Sequence, residues 1–353
     1  SSTNLVAMSI ILLKRAFMNS EFEILSFIDE ETINFISEVL PKLFENENLT
    51  PYLFSLLVDT SSFIATEIMR LSKMLDFIPK LVKMVKILSP TLSPPAIDCI
   101  VQCNNYNSLI NFQSDTEYDL ISLNDVYLIA STALTNDFSI DFTISSIRML
   151  FSFYIDNAQT PQFIEFAQAI SEIYPIIPEN ELSIALSDLY MFCKHSYLYF
   201  SETLPSLVTG LLAILENYND NDENHMHIQT IVINIFILLA KSYDLKFKEY
   251  LSDVTAAVMI VSCNFQEDLV SDEVDLNAPF SDEAIFFLSE IFSSRTEYQS
   301  LVIKLSQEMI QREEWNCRRS ALSAIYQLSL SCETGLDSYF DDILEMIKES
   351  FSD

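Results

Sequence analysis

Leu186–Asn217 reads LSDLYMFCKHSYLYFSETLPSLVTGLLAILEN, and it aligns without a gap on Ile233–Asn264, which reads INIFILLAKSYDLKFKEYLSDVTAAVMIVSCN. The offset is 47 residues, and the apolar pattern is kept almost position for position. Identical residues recur at five or more equivalent positions, among them Lys194/Lys241, Phe200/Phe247, Glu202/Glu249, Leu204/Leu251 and Asn217/Asn264. The chain therefore contains an internal repeat.

The length and composition of this repeat predict the fold. A period of about 40 to 47 residues made of two helices is typical of HEAT and armadillo arrays, in which each helix pair buries its apolar face against its neighbours. Only two glycines occur in 353 residues, and half of the residues are hydrophobic. Tight hairpins depend on glycine, so β-structure is disfavoured. We therefore expect an all-α chain that forms a HEAT/armadillo-like superhelix of about eight helix pairs.

The proline breaks and the apolar periodicity divide the chain into pairs. The first helix is predicted at Asn4–Met18, Asp29 is a candidate N-cap for the next one, and Pro51 is a candidate helix start. An acidic loop at residues 265–278 interrupts the pattern. We predict one HEAT-repeat solenoid over residues 1–353, with pairs at approximately 1–48, 49–89, 90–136, 137–178, 179–218, 224–264, 279–312 and 313–353.

The net charge restricts the partners. Asp and Glu number 51 against 19 Lys and Arg, which gives a formal charge of −32. Such a surface repels nucleic acid phosphates and anionic lipid headgroups. Basic proteins are the expected partners, with no direct nucleic acid binding, although a need for solubility would also explain the acidity.

Cysteine usage and hydropathy bear on the compartment. The six cysteines lie scattered through predicted helices, which indicates buried free thiols in a reducing compartment. The longest apolar stretch, Ile231–Ala240, contains Asn234 and is too short to cross a bilayer. We expect an intracellular protein with no membrane insertion.

The last predicted pair carries a more specific signal. Glu314–Cys332 reads EWNCRRSALSAIYQLSLSC, and its Trp-x-x-Arg-x-x-Ala-Leu-x-Ala-Ile pattern resembles a helix of the importin-β (karyopherin-β) family. Ala7–Arg15, AMSIILLKR, is similar to the Leu-Leu-Arg-Arg helix of that family's second repeat. The ending Leu330-Ser331-Cys332 departs from the family's usual Glu-Gly-Cys. Five residues carry the match, namely Trp315, Arg318, Ala321, Leu322 and Ala324.

The resemblance implies a nuclear transport receptor that moves between cytoplasm and nucleus. It also implies an N-terminal-arch fragment without the first repeat and the C-terminal half, most similar to the branch that carries ribosomal proteins and histones. The implied partners are basic cargo proteins with nuclear localisation signals, bound on an acidic concave surface, a Ran-type GTPase that releases them, and phenylalanine-glycine nucleoporins. No cofactor is expected, because nucleotide-binding motifs are absent from the sequence.

Two groups of residues receive distinct roles. A long loop inside a repeat array is often functional, and the resemblance implies that the acidic loop contacts the GTPase or the cargo. Its candidate residues are Glu267, Asp268, Asp272, Glu273 and Asp275, and a merely solvated insertion is the alternative. Trp315, Arg318 and Leu322 share one helix face, so we expect the indole to fill the gap between repeats and the guanidinium to bind a nearby carboxylate or carbonyl.

A basic ridge, Lys80, Lys83 and Lys86, recurs every three residues and is read as a solvent face or a binding surface. Phosphate-binding loops need paired glycines, and a nucleophile elbow is absent from the sequence. The segment Asp220-x-Asp222-x-Asn224 begins like a calcium loop, but His225 replaces the required glycine and Ile231 the closing glutamate.

His225 and His227 beside the acidic residues could be read as a metal site, as could Cys99 and Cys103, but the ligand sets are incomplete. We therefore predict no metal and no enzyme. The alternative function is a cytosolic HEAT-repeat scaffold such as a phosphatase regulatory subunit. An enzyme with an unrecognised site would require titratable groups that converge in a closed pocket.

Overall fold

The computed structural model describes residues 8, 9, 11, 12, 15, 29–46, 49–70, 77–86, 93–107, 121–135, 139–154, 162–196, 200–220, 222–264, 280–292, 296–332 and 336–350. Within these ranges the regular elements are α-helices and short 3-10 turns, and no strand occurs. The predicted all-α class is therefore confirmed. The helix expected at Asn4–Met18 lies largely outside the described residues.

The chain divides into two compact units, Ser1–Phe166 and Ala167–Asp353, and the boundary falls inside helix α7. The helices described up to that boundary are α1 Glu30–Leu43, α2 Pro51–Arg70, α3 Phe77–Val85, α4 Ser93–Asn107, α5 Leu123–Thr135, α6 Ile140–Tyr154 and α7 Gln162–Ile173.

The helices described in the second unit continue this series. They are α8 Glu179–Ser196, α9 Leu204–Asn217, α10 Glu223–Phe247, α11 Leu251–Asn264, α12 Phe280–Phe292, α13 Thr296–Ile310, α14 Trp315–Ser331 and α15 Phe340–Ser350. Short 3-10 turns occupy Tyr174–Ile176, Lys248–Tyr250 and Leu336–Tyr339.

Local signals place the first helix starts. The Asp29 carboxylate accepts a hydrogen bond from the Thr32 amide at 2.7 Å and so caps α1. Pro51 is the first residue of α2, where an amide donor would have no helical partner. Thr50 precedes it, and its Oγ1 accepts from the Leu53 amide at 3.4 Å. Both starts predicted from the sequence are confirmed.

Helices of the first unit alternate between two layers. The even-numbered helices α2, α4 and α6 pack side by side in chain order, and α1 packs against α3 in the other layer. The layers are joined because α3 also contacts α4 and α5 also contacts α6. Leu57, Ile97 and Leu150 of the even helices are buried in this interior. Each helix thus buries its apolar face against near neighbours in sequence, as in an α-solenoid.

The second unit repeats this arrangement. Helices α8, α10, α12 and α14 form one layer, and α9, α11, α13 and α15 form the other. Contacts between each odd helix and the even helix after it join the layers, as α9 with α10 and α13 with α14. In addition, α14 packs directly against α11, three helices earlier. This packing joins a helix that precedes the acidic loop in the sequence to one that follows it.

The internal repeat is visible in the helix boundaries. Helix α9 begins at Leu204 and α11 at Leu251, and both contain 14 residues. Phe200 and Phe247 precede them at equivalent positions, and both side chains are fully buried. Phe200 packs edge-on against Phe192 of α8, with ring centroids 6.1 Å apart. Phe247 packs in the same way against Phe236 of α10, with ring centroids 6.5 Å apart.

The first helices of the two copies end differently. Helix α8 ends at Ser196. Its equivalent in α10 is Tyr243, whose φ of −123° and ψ of 22° are not helical. Helix α10 therefore kinks where α8 stops and continues to Phe247.

Among the described residues, one stretch, Glu223–Cys263, is long and apolar enough by composition to cross a membrane. In its most apolar 18-residue segment, 56% of the residues are buried inside the protein. This stretch comprises α10 and α11, which pack against α8, α9 and α12. Its apolar character is explained by this packing, since the central helices of a layered core are covered on several sides.

At Gly210, helix α9 packs closely against the last turn of α7 and the 3-10 turn that follows α7. An added Cβ there would lie 2.9 Å from the Ser171 carbonyl oxygen and 3.2 Å from Cγ of Pro175. The Tyr174 hydroxyl donates to the Ala185 carbonyl at 3.0 Å and fixes this turn. Glycine is therefore required at this position for close packing rather than for an unusual backbone angle.

Candidate functional site

A groove of about 510 Å³ crosses the even-numbered helices of the first unit. Its apolar lining comes from both α2 and α4, and comprises Leu49, Pro51, Phe54, Val58, Pro94, Pro95 and Val101. Prolines are tolerated here because they lie in the first turns of the two helices, where amide groups lack helical acceptors. A surface with these residues presents few backbone donors and a large apolar area.

Charged side chains line the same groove. Asp59 belongs to α2, Asp98 to α4, and Asp141 and Arg148 to α6. Nη1 of Arg148 lies 3.2 Å from Oδ1 of Asp98, so these two side chains form an ion pair. Three carboxylates against one guanidinium leave the groove with two net negative charges.

Polar contacts fix the three helices that form the groove. Oγ of Ser62 on α2 lies 2.5 Å from Oε1 of Gln102 on α4. The Asn104 amide on α4 donates to the Ser152 carbonyl of α6 at 3.1 Å. These contacts join each helix of the layer to the next one, so the groove is formed before any ligand binds.

In the second unit, α14 holds the C-terminal end of α11. Asn316 Nδ2 donates to the Cys263 carbonyl at 2.7 Å, Arg319 Nη2 to the Ser262 carbonyl at 2.8 Å, and Ser320 Oγ to the Met259 carbonyl at 2.8 Å. Carbonyls at a helix end lack helical partners, and a cation there is favoured by the helix dipole. We call Asn316, Arg319 and Ser320 the α11 clamp. No local pattern in the sequence indicates this clamp, since its partners lie 53 to 61 residues away.

The predicted acidic loop, with Glu267, Asp268, Asp272, Glu273 and Asp275, lies outside the described residues. Its position relative to the clamp follows from the sequence alone. Helix α11 ends at Asn264, so the acidic segment begins directly after the carbonyls that the clamp binds.

The importin-like residues of α14 occupy different faces. Ala321 and Ala324 are buried, and Leu322 is half-buried. Arg318 Nη1 donates to the carbonyls of Arg312 and Glu313 at 2.9 and 2.8 Å, which confirms the predicted carbonyl contact.

Trp315 contradicts its prediction because its side chain is 47% exposed. The buried stripe of α14 contains Cys317, Ala321, Ala324 and Leu328. At 100° per residue, Trp315 is rotated by roughly 150° from the centre of this stripe. The indole therefore does not fill the gap between repeats within the described structure.

The structure brings part of the calcium-like segment together with Glu179. His225 Nδ1 lies 2.7 Å from Asp220 Oδ1, and its Nε2 lies 3.4 Å from Glu179 Oε1. Asp222 caps α10 by accepting from the Asn224 amide at 2.9 Å. Burial lowers the pKa of His225, but hydrogen bonds with Asp220 and then Glu179 outweigh it and hold the pKa above its ordinary value.

The calcium-like segment therefore has a structural role: Asp222 caps α10, and His225 joins α10 to α8 through its ion pair with Glu179. His227 is exposed and does not belong to the cluster of Glu179, Asp222 and His225, whose ligand atoms lie within 4.8 Å of one another.

One lysine of the basic ridge forms an ion pair within the first unit. Lys86 forms an ion pair with Asp125 of α5. Burial raises the pKa of Asp125, but the hydrogen bond from Lys86 outweighs this effect and lowers it below its ordinary value. Lys83 is exposed and Lys80 half-buried. The ridge is thus not a uniform solvent face.

The cysteines are free, and all except the half-buried Cys332 are buried. Burial raises the pKa of Cys193 and, together with the hydrogen bond to Cys317, raises the pKa of Cys263 to about 12. A thiol with such a pKa is a poor nucleophile at neutral pH. The predicted buried free thiols are confirmed, with Cys332 as the exception.

Helices stacked pair on pair in two layers define a helical-repeat protein of the HEAT type. No protein-family model and no curated protein matches the chain. Among solved structures, the chain is similar to Kap121p bound to RanGTP, with a TM-score of 0.53, 13% identity and coverage of 98% of this chain and 38% of that one.

Kap121p bound to Ste12p gives a TM-score of 0.52 at 14% identity, covering 94% of this chain and 36% of that one. Kap121p bound to Pho4p gives 0.52 at 14% identity, covering 97% and 39%. At these identities the similarity shows the fold alone, which is a helical-repeat fold like that of Kap121p. The chain spans less than two fifths of the Kap121p chains that it matches.

Proposed function

We propose that the protein is a nuclear transport receptor that binds basic cargo proteins on an acidic surface and releases them when a Ran-type GTPase binds. The observation that carries this proposal is the fold similarity to Kap121p bound to RanGTP over 98% of the chain. The net charge of −32 supports basic rather than acidic or nucleic acid partners.

The mechanism is thermodynamic linkage. If cargo and GTPase favour different arrangements of one receptor, each lowers the affinity of the other by the same factor. A helical-repeat array suits this mechanism because its repeats contact only near neighbours and deform by small changes between them. Movement through the nuclear pore on phenylalanine-glycine nucleoporins, and residence in both cytoplasm and nucleus, belong to the same proposal.

The acidic segment is proposed as a contact for the GTPase or the cargo. Two observations support this role. Five carboxylates lie within nine residues, from Glu267 to Asp275. The α11 clamp also fixes the helix end from which the segment leaves. We further propose that the chain corresponds to the N-terminal arch of a longer receptor.

A pull-down with GTP-locked and GDP-bound Ran-type GTPase tests the proposal. We expect retention of the GTP-locked form only. Equal binding of both forms, or of neither, would refute the transport function. Co-purification with a phosphatase catalytic subunit in the absence of GTPase binding would favour the scaffold function.

The role of the acidic segment has its own test. One variant replaces its five carboxylates with amides at Glu267, Asp268, Asp272, Glu273 and Asp275. A control variant does the same at five exposed carboxylates of the second unit, Glu216, Asp253, Glu308, Glu313 and Asp341. Both variants lose the same total charge. We expect weaker GTPase or cargo binding only in the first variant, because only this variant removes the proposed contact. Equal losses would indicate a general charge effect.

A further inference from the structure

We infer that the groove across α2, α4 and α6 binds a short segment of a partner protein in which a lysine or arginine lies next to a large apolar side chain. The inference rests on the proposed function only in taking the segment from a basic cargo protein. The binding site for this segment is then the groove of the first unit.

Charge complementarity is the first argument. Arg148 is paired with Asp98, while Asp59 and Asp141 stand on the exposed rims of α2 and α6. In the described structure, Asp141 has no hydrogen bond or ion pair. A cationic side chain that enters the groove therefore meets a lining with two net negative charges, and Asp141 is available to pair with it. An anionic segment would meet a net negative charge, and the one guanidinium present is already bound to Asp98.

The apolar lining is the second argument. Val58 and Val101 lie at the base of the groove and are buried, whereas Pro51 and Phe54 remain partly or fully exposed at its side. A volume of about 510 Å³ lies within the range of ligand pockets and accommodates a few side chains. An apolar side chain that covers these residues removes exposed hydrocarbon from water on both partners.

Preorganisation is the third argument. The Ser62–Gln102 contact and the Asn104–Ser152 hydrogen bond fix α4 relative to α2 and α6. The groove walls are helices except at Leu49, which lies two residues before the start of α2. Binding therefore requires little ordering of the receptor, and this reduces the entropic cost of association.

The test uses the full chain and a fluorescein-labelled synthetic peptide whose core is Arg-Leu-Lys-Leu, flanked by Gly and Ser. Two comparison peptides replace the cations with glutamine or the leucines with serine. Binding is followed by fluorescence anisotropy at low and high salt. We expect the parent peptide to bind best, and its affinity to fall with salt because the carboxylates are exposed.

Two receptor variants locate the binding site. Asp59→Asn/Asp141→Asn removes two groove charges, and Glu31→Gln/Glu38→Gln removes two exposed charges of α1 as the matched control. We expect about tenfold weaker binding for the groove variant, since exposed ion pairs each contribute up to about 1 kcal/mol, and no change for the control. Circular dichroism checks that each variant is folded.

A third variant introduces a competitor inside the groove. Ser55 is exposed and lines the groove, so Ser55→Arg should place a guanidinium beside the carboxylates and block the peptide, whereas Ser55→Ala should not. Unchanged affinity in Asp59→Asn/Asp141→Asn and Ser55→Arg would overturn the inference, as would failure of the wild-type chain to bind the peptide. Retention of GTP-locked Ran-type GTPase by the same preparations would then show that the proposed function stands without this groove.

Discussion

Replacing Gly210 with alanine should destabilise the second unit by about 1–2 kcal/mol, although alanine is the better helix former. Alanine gains about 1 kcal/mol over glycine in a helix interior. Against this gain, the new Cβ would lie 2.9 Å from the Ser171 carbonyl oxygen and 3.2 Å from Pro175. The first of these is a backbone atom of α7, and a backbone atom cannot rotate out of the way as a side chain can, so one of the two helices must move. Overpacking of this kind costs up to about 3 kcal/mol.

The assay is urea unfolding followed by circular dichroism, combined with amide hydrogen exchange in α9, which reports local stability even if the units unfold separately. Thr209→Ala is the matched control, because Thr209 is the adjacent residue of the same helix and is exposed. It should gain about 0.5 kcal/mol from helix propensity alone. If Gly210→Ala raises stability as Thr209→Ala does, the close approach of α9 to the turn is not as described.

Three further outcomes are expected. Arg319→Ala should lower the hydrogen-exchange protection of the last turn of α11 by about 1–2 kcal/mol, because a helix-end carbonyl loses a charged donor, and unchanged protection would count against the clamp. The raised pKa of His225 means that its ion-pair contribution is complete below the ordinary histidine pKa and is lost as pH rises through the raised value. An NMR titration should show this raised midpoint, and His225→Gln should remove the pH dependence. Trp315→Ala should cost less than about 1 kcal/mol in urea unfolding and Leu328→Ala about 2–5 kcal/mol, so equal losses would contradict their burial.

Local signals in the sequence predicted the helices well. The aligned repeat ends at Asn217 and Asn264, and these are the last residues of α9 and α11. Asp29 and Pro51 act through their own backbone and the next turn, so their roles are readable without tertiary contacts. The all-α fold class was predicted from the period of the repeat and from the scarcity of glycine.

Contacts between helices distant in sequence could not be predicted in this way. The α11 clamp joins residues more than 50 positions apart, and the groove collects residues from three helices of one layer. Trp315 was predicted to be buried from its residue type and from the helix face that it shares with Arg318 and Leu322, but the rotation of α14 places it away from the buried stripe. His225 was considered as a metal ligand because His227 and acidic residues lie beside it in the sequence. Its contact with Glu179 of α8 could not be predicted, since Glu179 lies far from it in the sequence.

The α11 clamp has a consequence for how this protein can vary during evolution. Asn316, Arg319 and Ser320 bind the end of α11, which precedes the acidic segment. Helix α12, which follows the segment, packs on α10, α11 and α14. Both flanks of the segment are therefore held by contacts that do not include it. The entropic cost of closing a flexible segment grows slowly, by about 0.6 kcal/mol for each doubling of its length. Insertions and deletions between residues 264 and 280 should therefore be tolerated by the fold. Selection can then adjust the length and charge of this segment for a particular partner while the helices on either side stay in place.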